Sequence, residues 1–487
     1  MIEIIDLVVF FAFTIGIVFL GASFYHKETS VSDYIRGGGN IPSWVVGLSI
    51  LSTYISSISY LGNPGMSYEH NWNPFVFDLA IPIAAWIACR YFVPFYRNQD
   101  SISTYGFLEK RFGRWARVYA SFCYLLTQIA RIGTIIFLLA LPMNMLLGWN
   151  IITVIILTSI AIIFYAILGG IRGVIWTEAI QATIMIIGAF TCLIIIFFEM
   201  PEGPQQVFSI AISNHKFSLG SFSLTDFSTS TFWVCMIYGI FVNLQNFGVD
   251  QNYVQRYHTT NTLEEARRAV KQSTWTLIPV AGMFFLIGTS LYSYYQVHTN
   301  LLPSEGIKSD YVFPYFIVHQ LPHGITGLLI ASIFAAGMST VATGITSSST
   351  IVLTDYVKPL LPKAKEWHYL AILKISGLII GLLGMCIAIL MINVANILDA
   401  WWKLSSIFSG GMLGLFLLGF VSKRACNVDA AIGTICGILI IAWISAFEWL
   451  HLPNPHIHNY LTIVCGTATI FLIGFLACHL RIRFKNA

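Results

Sequence analysis

About thirteen apolar segments, each close to the ~20 residues that a helix needs to cross a bilayer, follow one another along this chain. Only 10% of its 487 residues are charged, and no polar segment is long enough to form a soluble domain. The predicted spans run about 4–24, 43–68, 74–96, 116–146, 150–169, 173–199, 229–249, 273–296, 322–355, 368–392, 398–420, 427–447 and 459–480. This pattern predicts an all-α polytopic membrane protein with a single transmembrane domain over 1–487.

The basic residues of the predicted loops lie almost entirely on one side of the membrane. Only Lys216 and Lys308 fall in loops of the other side. The basic side includes the segment 256–271, which carries a Thr-x-x-Glu capping signal, and we expect this segment with Arg256 to be a solvated helix. Because basic loops stay in the cytoplasm, the C-terminus is predicted to be cytoplasmic and the N-terminus, with an odd number of spans, to lie outside the cell membrane.

Two of the spans contain many hydroxyl and glycine residues at positions where a helix facing lipid would carry leucine or valine. They are the stretches 47–65 and 334–349. In hydrocarbon every backbone polar group needs a partner, so a broken helix persists only where protein or water covers it. Secondary transporters hold ions and substrates at such broken helices near the bilayer midplane. The two stretches are therefore predicted to be interrupted helices of a transporter.

Three polar motifs carry a resemblance to a known family. They read STYGFLEKRF at 103–112, GGIRGVIWTEAIQ at 169–181 and DQNYVQRY at 250–257. By these motifs and their order the chain resembles the sodium/solute symporter family. The first two core helices, the segment around Arg131 and the chain length are most similar to the bacterial sialic acid symporters of that family. The resemblance implies sodium-driven uptake of a small solute and a leucine-transporter-like fold.

That fold places one leading helix before a five-plus-five inverted repeat and two trailing helices after it. Here the resemblance implies a leading helix at about 4–24, repeats at about 43–199 and 229–420, and trailing helices at about 427–480. Sodium is then the coupling ion, and no organic cofactor is implied. The expected partners are the lipid bilayer and a small-molecule substrate, with no nucleic acid and no obligate protein partner, so the chain is expected to function as a monomer.

The resemblance also implies a set of sodium ligands. A hard cation prefers oxygen atoms, and unwound carbonyls and hydroxyls supply them without fixed charge. The main site would use the carbonyls of Ser52, Ile55 and Ala336 with the hydroxyls of Ser339 and Thr340. Alternatively, the hydroxyls bond back to carbonyls of their own helix or allow close helix packing. The adjacent Ser-Thr after Ala-Ala-Gly favours the sodium site.

Arg131 is the principal candidate for binding the substrate. It lies near the middle of a predicted span, where a guanidinium costs at least ~2.5 kcal/mol. Its planar fork suits a carboxylate, although a structural ion pair with Asp78 is the alternative. By the resemblance, Tyr54, Ser56, Ser59 and Asp78 line the substrate cavity. Asp78 replaces an expected amide and Tyr54 an expected small hydroxyl residue, which leaves the identity of the substrate open.

Asn243, Asn246 and Asp250 form a further polar set at the end of the predicted span 229–249. Their i, i+3, i+7 spacing places them on one face of a helix. Facing a cavity, these side chains can bond sugar hydroxyls or form an inner gate. Facing another helix, they can equally hold the two helices together by hydrogen bonds.

A second sodium site is suggested by the resemblance at Glu178 and Thr343, with Ser339 shared between the sites. The expected ligands are an aspartate and two serines, whereas Glu178 is longer by a methylene and Ala342 lacks a hydroxyl. A carboxylate at that depth must hold a cation, take a proton or bond to its neighbours. The loss of one ligand favours one sodium per substrate, with Glu178 as a protonated or hydrogen-bonded strut.

The sequence as a whole predicts a sodium-coupled importer of a small hydroxylated organic anion, with sialic acid (N-acetylneuraminate) or a related sugar acid as the leading candidate. The alternative is a sodium/monocarboxylate or sodium/neutral-sugar symporter of the same family. We do not expect a channel, because a channel would need rings of polar residues along a pore, and the sequence lacks them. An enzyme would need a nucleophile beside a base, and the histidines lie mostly in loops, so we do not expect an enzyme.

Overall fold

The chain folds into a bundle of helices in the computed structural model, which describes residues 3–27, 30–99, 102–302, 308–393, 410–447 and 453–486. Every regular element within those residues is a helix. The principal helices are α1 Ile4–Ser23, α2 Ser43–Tyr54, α3 Ser57–Glu69, α4 Asn73–Arg97, α5 Arg114–Leu147, α6 Ile151–Glu199, α7 Phe232–Val249, α8 Gln251–Tyr257, α9 Leu263–Val297, α10 Ile325–Ile351, α11 Glu366–Leu390, α12 Met412–Val421, α13 Asn427–Ala446 and α14 Leu461–Asn486. Short helices lie between them at Val31–Arg36, Gly106–Phe112, Pro204–Ser213 and Ser309–His319.

Among the described residues, 10 helices are long and apolar enough to cross a membrane, and α2 with α3 make an eleventh span if counted together. One of the ten, α6, has 49 residues, about twice what one crossing requires. Its backbone leaves helical geometry at Gly170 (φ 51°, ψ −158°), a conformation that glycine adopts without steric cost. The predicted spans 150–169 and 173–199 lie on either side of this glycine. The total of about thirteen stays a prediction, because the beginning of the predicted span 398–420 lies outside the described residues.

The first hydroxyl-rich stretch is a broken helix, as predicted. Helix α2 ends at Tyr54, and Ile55 (ψ 109°) and Ser56 (ψ 176°) are extended before α3 begins at Ser57. The two helices are bent by 59° relative to each other. The carbonyl groups at the end of α2 therefore lack the hydrogen bonds of a continuing helix and remain available to other donors or to a cation.

The second hydroxyl-rich stretch is not broken, and that prediction was wrong. Helix α10 runs without interruption from Ile325 to Ile351. Several of its hydroxyls, such as that of Thr340 with Ala336, bond to carbonyls of the preceding turn, which does not require the backbone to unwind. Gly337 packs against the side chain of Leu139, where a Cβ atom would come within 2.5 Å. Small and hydroxyl residues here permit close packing at the centre of the bundle, where 89% of this span is buried.

The leading helix α1 is attached to the beginning of α10. The carboxylate of Asp6 accepts hydrogen bonds from the backbone N–H groups of Gly324, at 2.6 Å, and Gly327, at 3.0 Å. These N–H groups lie in the first turn of α10 and have no partner within the helix. An acidic residue inside an apolar span is thus explained by helix capping.

The prediction of a solvated helix over 256–271 was partly wrong. Thr262 and Glu265 do form the expected capping box at the start of α9, which continues into the membrane as far as Val297. Arg256, however, precedes this cap in α8 and is completely buried. A buried guanidinium needs a partner of opposite charge, and that partner lies in the interior of the bundle.

Candidate functional site

A cavity of about 250 Å³ lies beside the break between α2 and α3. Its walls come from this break and from α4, α5, α7 and α14. All the residues predicted to bind substrate except Asn243 line it, namely Tyr54, Ser56, Ser59, Asp78, Arg131 and Asn246. The structure therefore brings together side chains from five separate helices and from the break between α2 and α3, although their contact with a substrate stays a prediction.

The guanidinium of Arg131 faces this cavity with most of its hydrogen-bonding capacity unused. Its one hydrogen bond runs from Nη2 to the carbonyl oxygen of Thr53, at 3.3 Å. No acidic side chain in the described part of the chain forms an ion pair with it, so the alternative pair with Asp78 is not present. Because a guanidinium has five N–H donors, several remain for an anion in the cavity.

The two residues that depart from the expected pattern contact each other. The hydroxyl of Tyr54 donates a hydrogen bond to Oδ1 of Asp78, at 3.3 Å. Asp78 is only 5% exposed and yet lines the cavity. A carboxylate has about four lone-pair positions, so Asp78 can accept further hydrogen bonds from a ligand. The tyrosine thus holds the acid in place without using up its acceptors.

The polar side chains on one face of α7 have two different environments: some line the cavity, and one contacts a neighbouring helix. Asn246 and Asp250 line the cavity. Asn243 is fully buried, and its Nδ2 donates to the carbonyl oxygen of Phe77 in α4, at 3.2 Å. For Asn243 the geometry therefore matches the alternative of a hydrogen bond between helices. Asp250 also caps α8, accepting from the N–H of Asn252 at 2.7 Å.

The predicted sodium ligands lie at the contact between α2 and α10. The hydroxyl of Ser339 donates to the carbonyl oxygens of Ser52, at 3.1 Å, and Ala336, at 2.9 Å, and Thr340 donates to Ala336 at 3.1 Å. Ile55 is the first residue after α2 and is 2% exposed. The hydroxyl of Thr340 bonds within α10, as the alternative interpretation expects. The hydroxyl of Ser339 also bonds to α2, which that alternative does not explain. The oxygens that converge here are those an ion would need.

A second polar cluster lies one turn away, around the carboxylate of Glu178. Arg256 forms an ion pair with it, Nη2 lying 2.6 Å from Oε2, and both side chains are 0% exposed. The hydroxyls of Ser49 and Thr343 also donate to Glu178. The predicted pair Glu178 and Thr343 is thus in direct contact, and the carboxylate is held by a buried cation and two hydroxyls.

Helix α8 closes one end of the cavity by hydrogen bonds to several elements. All its residues are buried. Gln251 accepts from the N–H of Thr104 at 2.9 Å, and Asn252 accepts from the hydroxyl of Tyr124 at 2.9 Å. Gln255 donates to the carbonyl oxygen of Ile35, again at 2.9 Å. Because each bond goes to a different segment, opening this end requires several of them to break together.

Sequence reasoning missed Arg256 and Ser49, as well as several residues that line the cavity. Those are Asn63, Thr127, Gln128, Gln245, Tyr253 and Tyr460. Arg256 lies in the motif 250–257, which is rich in polar residues and directly follows an apolar span, but nothing in this motif identifies Glu178 as its partner. Nothing in the sequence around Tyr460 indicates that the trailing helices reach the cavity.

Comparisons with known proteins agree with this architecture. The model of the sodium:solute symporter family matches residues 34–437. The sodium/sialic acid symporter of Proteus mirabilis is 32% identical over 90% of this chain and 88% of its own length, and that of Aliivibrio fischeri 29% identical over 99% and 94%. A solved structure described as the substrate-bound outward-open state of a Na+-coupled sialic acid symporter superposes with a TM-score of 0.91, at 30% identity and covering 98% of both chains. The predicted leucine-transporter-like fold is confirmed.

Proposed function

The chain belongs to the sodium:solute symporter family, and we propose that it imports sialic acid, or a closely related sugar acid, together with sodium. The family consists of secondary transporters rather than enzymes, and sodium is its coupling ion. One observation supports an anionic substrate above all others. Arg131 lines the cavity and forms no ion pair with an acidic side chain of the described residues, so most of its hydrogen-bond donors remain for a ligand that brings a carboxylate.

The other cavity residues suit a ligand that carries several hydroxyl groups. Asp78 accepts hydrogen bonds, whereas Ser56, Ser59 and Asn246 can both donate and accept. A sugar acid satisfies these groups and Arg131 at the same time. A neutral sugar would leave the guanidinium uncompensated, and a short monocarboxylate would leave the hydroxyl-binding side chains without partners. Since unsatisfied buried polar groups are costly, both alternatives are less favourable.

Sodium and substrate are coupled through the broken helix. Sodium at Ser52 and Ser339 would hold the end of α2 against α10, and the same chain break supplies Tyr54 and Ser56 to the cavity. Each ligand therefore orders backbone that the other needs, so each must raise the affinity for the other by the same factor.

We propose that α8 is the inner gate, which opens after both have bound. The chain would act as a monomer of two inverted repeats, with the N-terminus outside and the C-terminus in the cytoplasm.

Uptake into proteoliposomes tests this function. With an inward sodium gradient we expect accumulation of radiolabelled sialic acid, and with potassium in place of sodium we expect none. Unlabelled sialic acid should compete, whereas lactate and galactose at the same concentration should not. Competition by lactate or galactose alone would reject the substrate proposal, and sodium-independent uptake would reject the coupling.

The main sodium site makes a separate prediction. Ser339→Ala and Thr340→Ala each remove one ligand oxygen from a buried site, so each should raise the sodium concentration for half-maximal uptake roughly threefold to tenfold. Alanine suits a helix, and both variants should fold. Thr346→Ala is the matched control, because the hydroxyl of Thr346, in the part of the chain that the structure describes, bonds only to carbonyls of its own helix. Unchanged sodium dependence in both variants would remove these hydroxyls from the site.

A further inference from the structure

We propose that the cavity binds a zwitterion, so that the preferred substrate is an amino sugar acid whose cationic amino group contacts Asp78 and whose carboxylate contacts Arg131. The inference rests on the proposed function, because it specifies the class of sugar acid that the chain imports. Three features of the cavity support it: the carboxylate of Asp78, the aromatic side chains beside that carboxylate, and the balance of charges along the wall.

Asp78 is a carboxylate that lacks a cationic partner. It is 5% exposed and lines the cavity, and in the described part of the chain no basic side chain forms an ion pair with it. The hydroxyl of Tyr54 donates a hydrogen bond to it, at 3.3 Å, but leaves its negative charge uncompensated. An amide at this position would bond sugar hydroxyls without burying a charge. A carboxylate here therefore favours a ligand that brings a positive charge.

Four aromatic side chains of the cavity wall form a row that begins at Tyr54, the residue that contacts Asp78. The ring centroids of Tyr54 and Phe77 lie 6.4 Å apart, and those of Phe77 and Tyr238 lie 5.3 Å apart. Tyr238 stacks on Tyr460 at 4.6 Å. The face of an aromatic ring carries partial negative charge and attracts an ammonium group. The rings and the carboxylate thus favour the same kind of group, an amino cation.

The charges along the cavity wall favour a zwitterion over a simple anion. Among the described residues, the charged side chains that line the cavity are Arg131, Asp78 and Asp250. Asp250 accepts from the N–H of Asn252 and, like Asp78, forms no ion pair with a basic side chain of that set. With both acids ionised, the wall carries one net negative charge. A singly charged anion would add to that charge at membrane depth, whereas a zwitterion would not.

Arg131 and Asp78 project from different helices, α5 and α4, and do not pair with each other across the cavity. A direct ion pair would neutralise both groups and leave neither for a ligand. Because they remain separate, one ligand can contact both, with its carboxylate at the guanidinium and its amino group at Asp78. The two contacts also fix the orientation of the ligand, since exchanging its ends would place like charges together.

Binding of matched ligands tests the proposal. The first pair is N-acetylneuraminate and 9-amino-9-deoxy-N-acetylneuraminate. The second pair is the methyl α-glycosides of N-acetylneuraminate and of neuraminate, which has a free 5-amino group. Dissociation constants are measured by calorimetry on purified protein at pH 7 and saturating sodium. In at least one pair we expect wild type to bind the amino ligand about tenfold or more tightly than its counterpart, because a charge-assisted hydrogen bond replaces a neutral one.

Asp78→Asn separates the charge of this residue from its shape. The variant keeps an acceptor for the hydroxyl of Tyr54 but has no negative charge. It should bind the preferred amino ligand about tenfold or more weakly than wild type does, and N-acetylneuraminate at least as tightly, because the anion no longer faces a carboxylate. Misfolding would weaken both ligands together. Glu202→Gln is the matched control, since it replaces an exposed acid outside the cavity and should leave both dissociation constants unchanged.

The possible results separate this proposal from the proposed function. If both amino ligands bind wild type no more tightly than their counterparts, the zwitterion proposal is wrong and the import of sialic acid stands. If an amino ligand binds more tightly, and equally so in Asp78→Asn, the assignment of Asp78 is wrong. Binding of none of the sugar acids, with or without an amine, would reject the proposed function itself. Tighter binding of serine than of any sugar acid would support the zwitterion and reject the sugar.

Discussion

Replacing Arg131 with lysine is expected to weaken binding of the carboxylate substrate at least about tenfold, a loss of roughly 1.4 kcal/mol. Lysine keeps the positive charge but loses the planar fork that bonds both oxygens of a carboxylate. Among the described residues Arg131 makes one hydrogen bond, to Thr53, so the substitution disturbs little of the fold. The measurement is the dissociation constant at saturating sodium, determined by calorimetry on purified wild type and variant.

A substrate analogue in which the carboxylate is replaced by an amide provides the control. An amidated substrate analogue cannot accept the bidentate pair, so it should bind wild type poorly and bind Arg131→Lys almost equally poorly. The ratio of the two ligands' affinities should therefore fall in the variant. If the amide binds wild type as tightly as the acid, Arg131 does not contact the carboxylate and the anionic substrate is rejected.

Removing the charge of Glu178 is expected to lower the free energy of unfolding by about 3–5 kcal/mol. In Glu178→Gln the guanidinium of Arg256 stays completely buried and loses the carboxylate that it contacts. The expected loss in the free energy of unfolding comes from the buried guanidinium that is left without a counter-charge, and not from the attraction between Arg256 and Glu178. Thermal unfolding of the detergent-solubilised protein is the measurement, because it requires neither sodium nor substrate.

Two comparisons separate this effect from ordinary loss of a salt bridge. The double variant Glu178→Gln/Arg256→Met should recover most of the stability, since it buries no charge. The pair of the half-buried Arg267 with the exposed Glu264, at 3.3 Å, is the control, and Glu264→Gln should cost less than about 1 kcal/mol. A Glu178→Gln protein as stable as Glu264→Gln would contradict the buried ion pair.

The structure assigns different roles to residues that have the same local pattern. Asn243 and Asn246 share one face of α7, yet Asn243 bonds to the backbone of α4 while Asn246 lines the cavity. Periodicity places residues on a face but does not say which neighbour covers each part of it. In the same way, the hydroxyl-rich stretches looked alike, but only the first is broken. The second stays helical although several of its hydroxyls bond along the helix and others to neighbouring helices, and Gly337 fits against the side chain of Leu139.

Arg256 is the clearest example of what local sequence does not predict. It follows an apolar span and precedes a charged, well-capped helix, and such surroundings are typical of a solvated loop. Its burial depends on Glu178, which is 78 residues away, and on Thr343, which is 87 residues away. No property of the segment around Arg256 carries information about those contacts.

The sequence by itself determined that this protein is a helical membrane protein and that a helix is interrupted within the hydroxyl-rich stretch 47–65. Those features follow from hydrophobicity and residue type, and transfer from water to lipid is governed by the composition of each segment alone. The tertiary structure decided that Arg131 faces the cavity unpaired and that Arg256 is paired with Glu178. Whether a charge in the membrane is satisfied by protein or left for a ligand depends on groups brought together from distant parts of the chain.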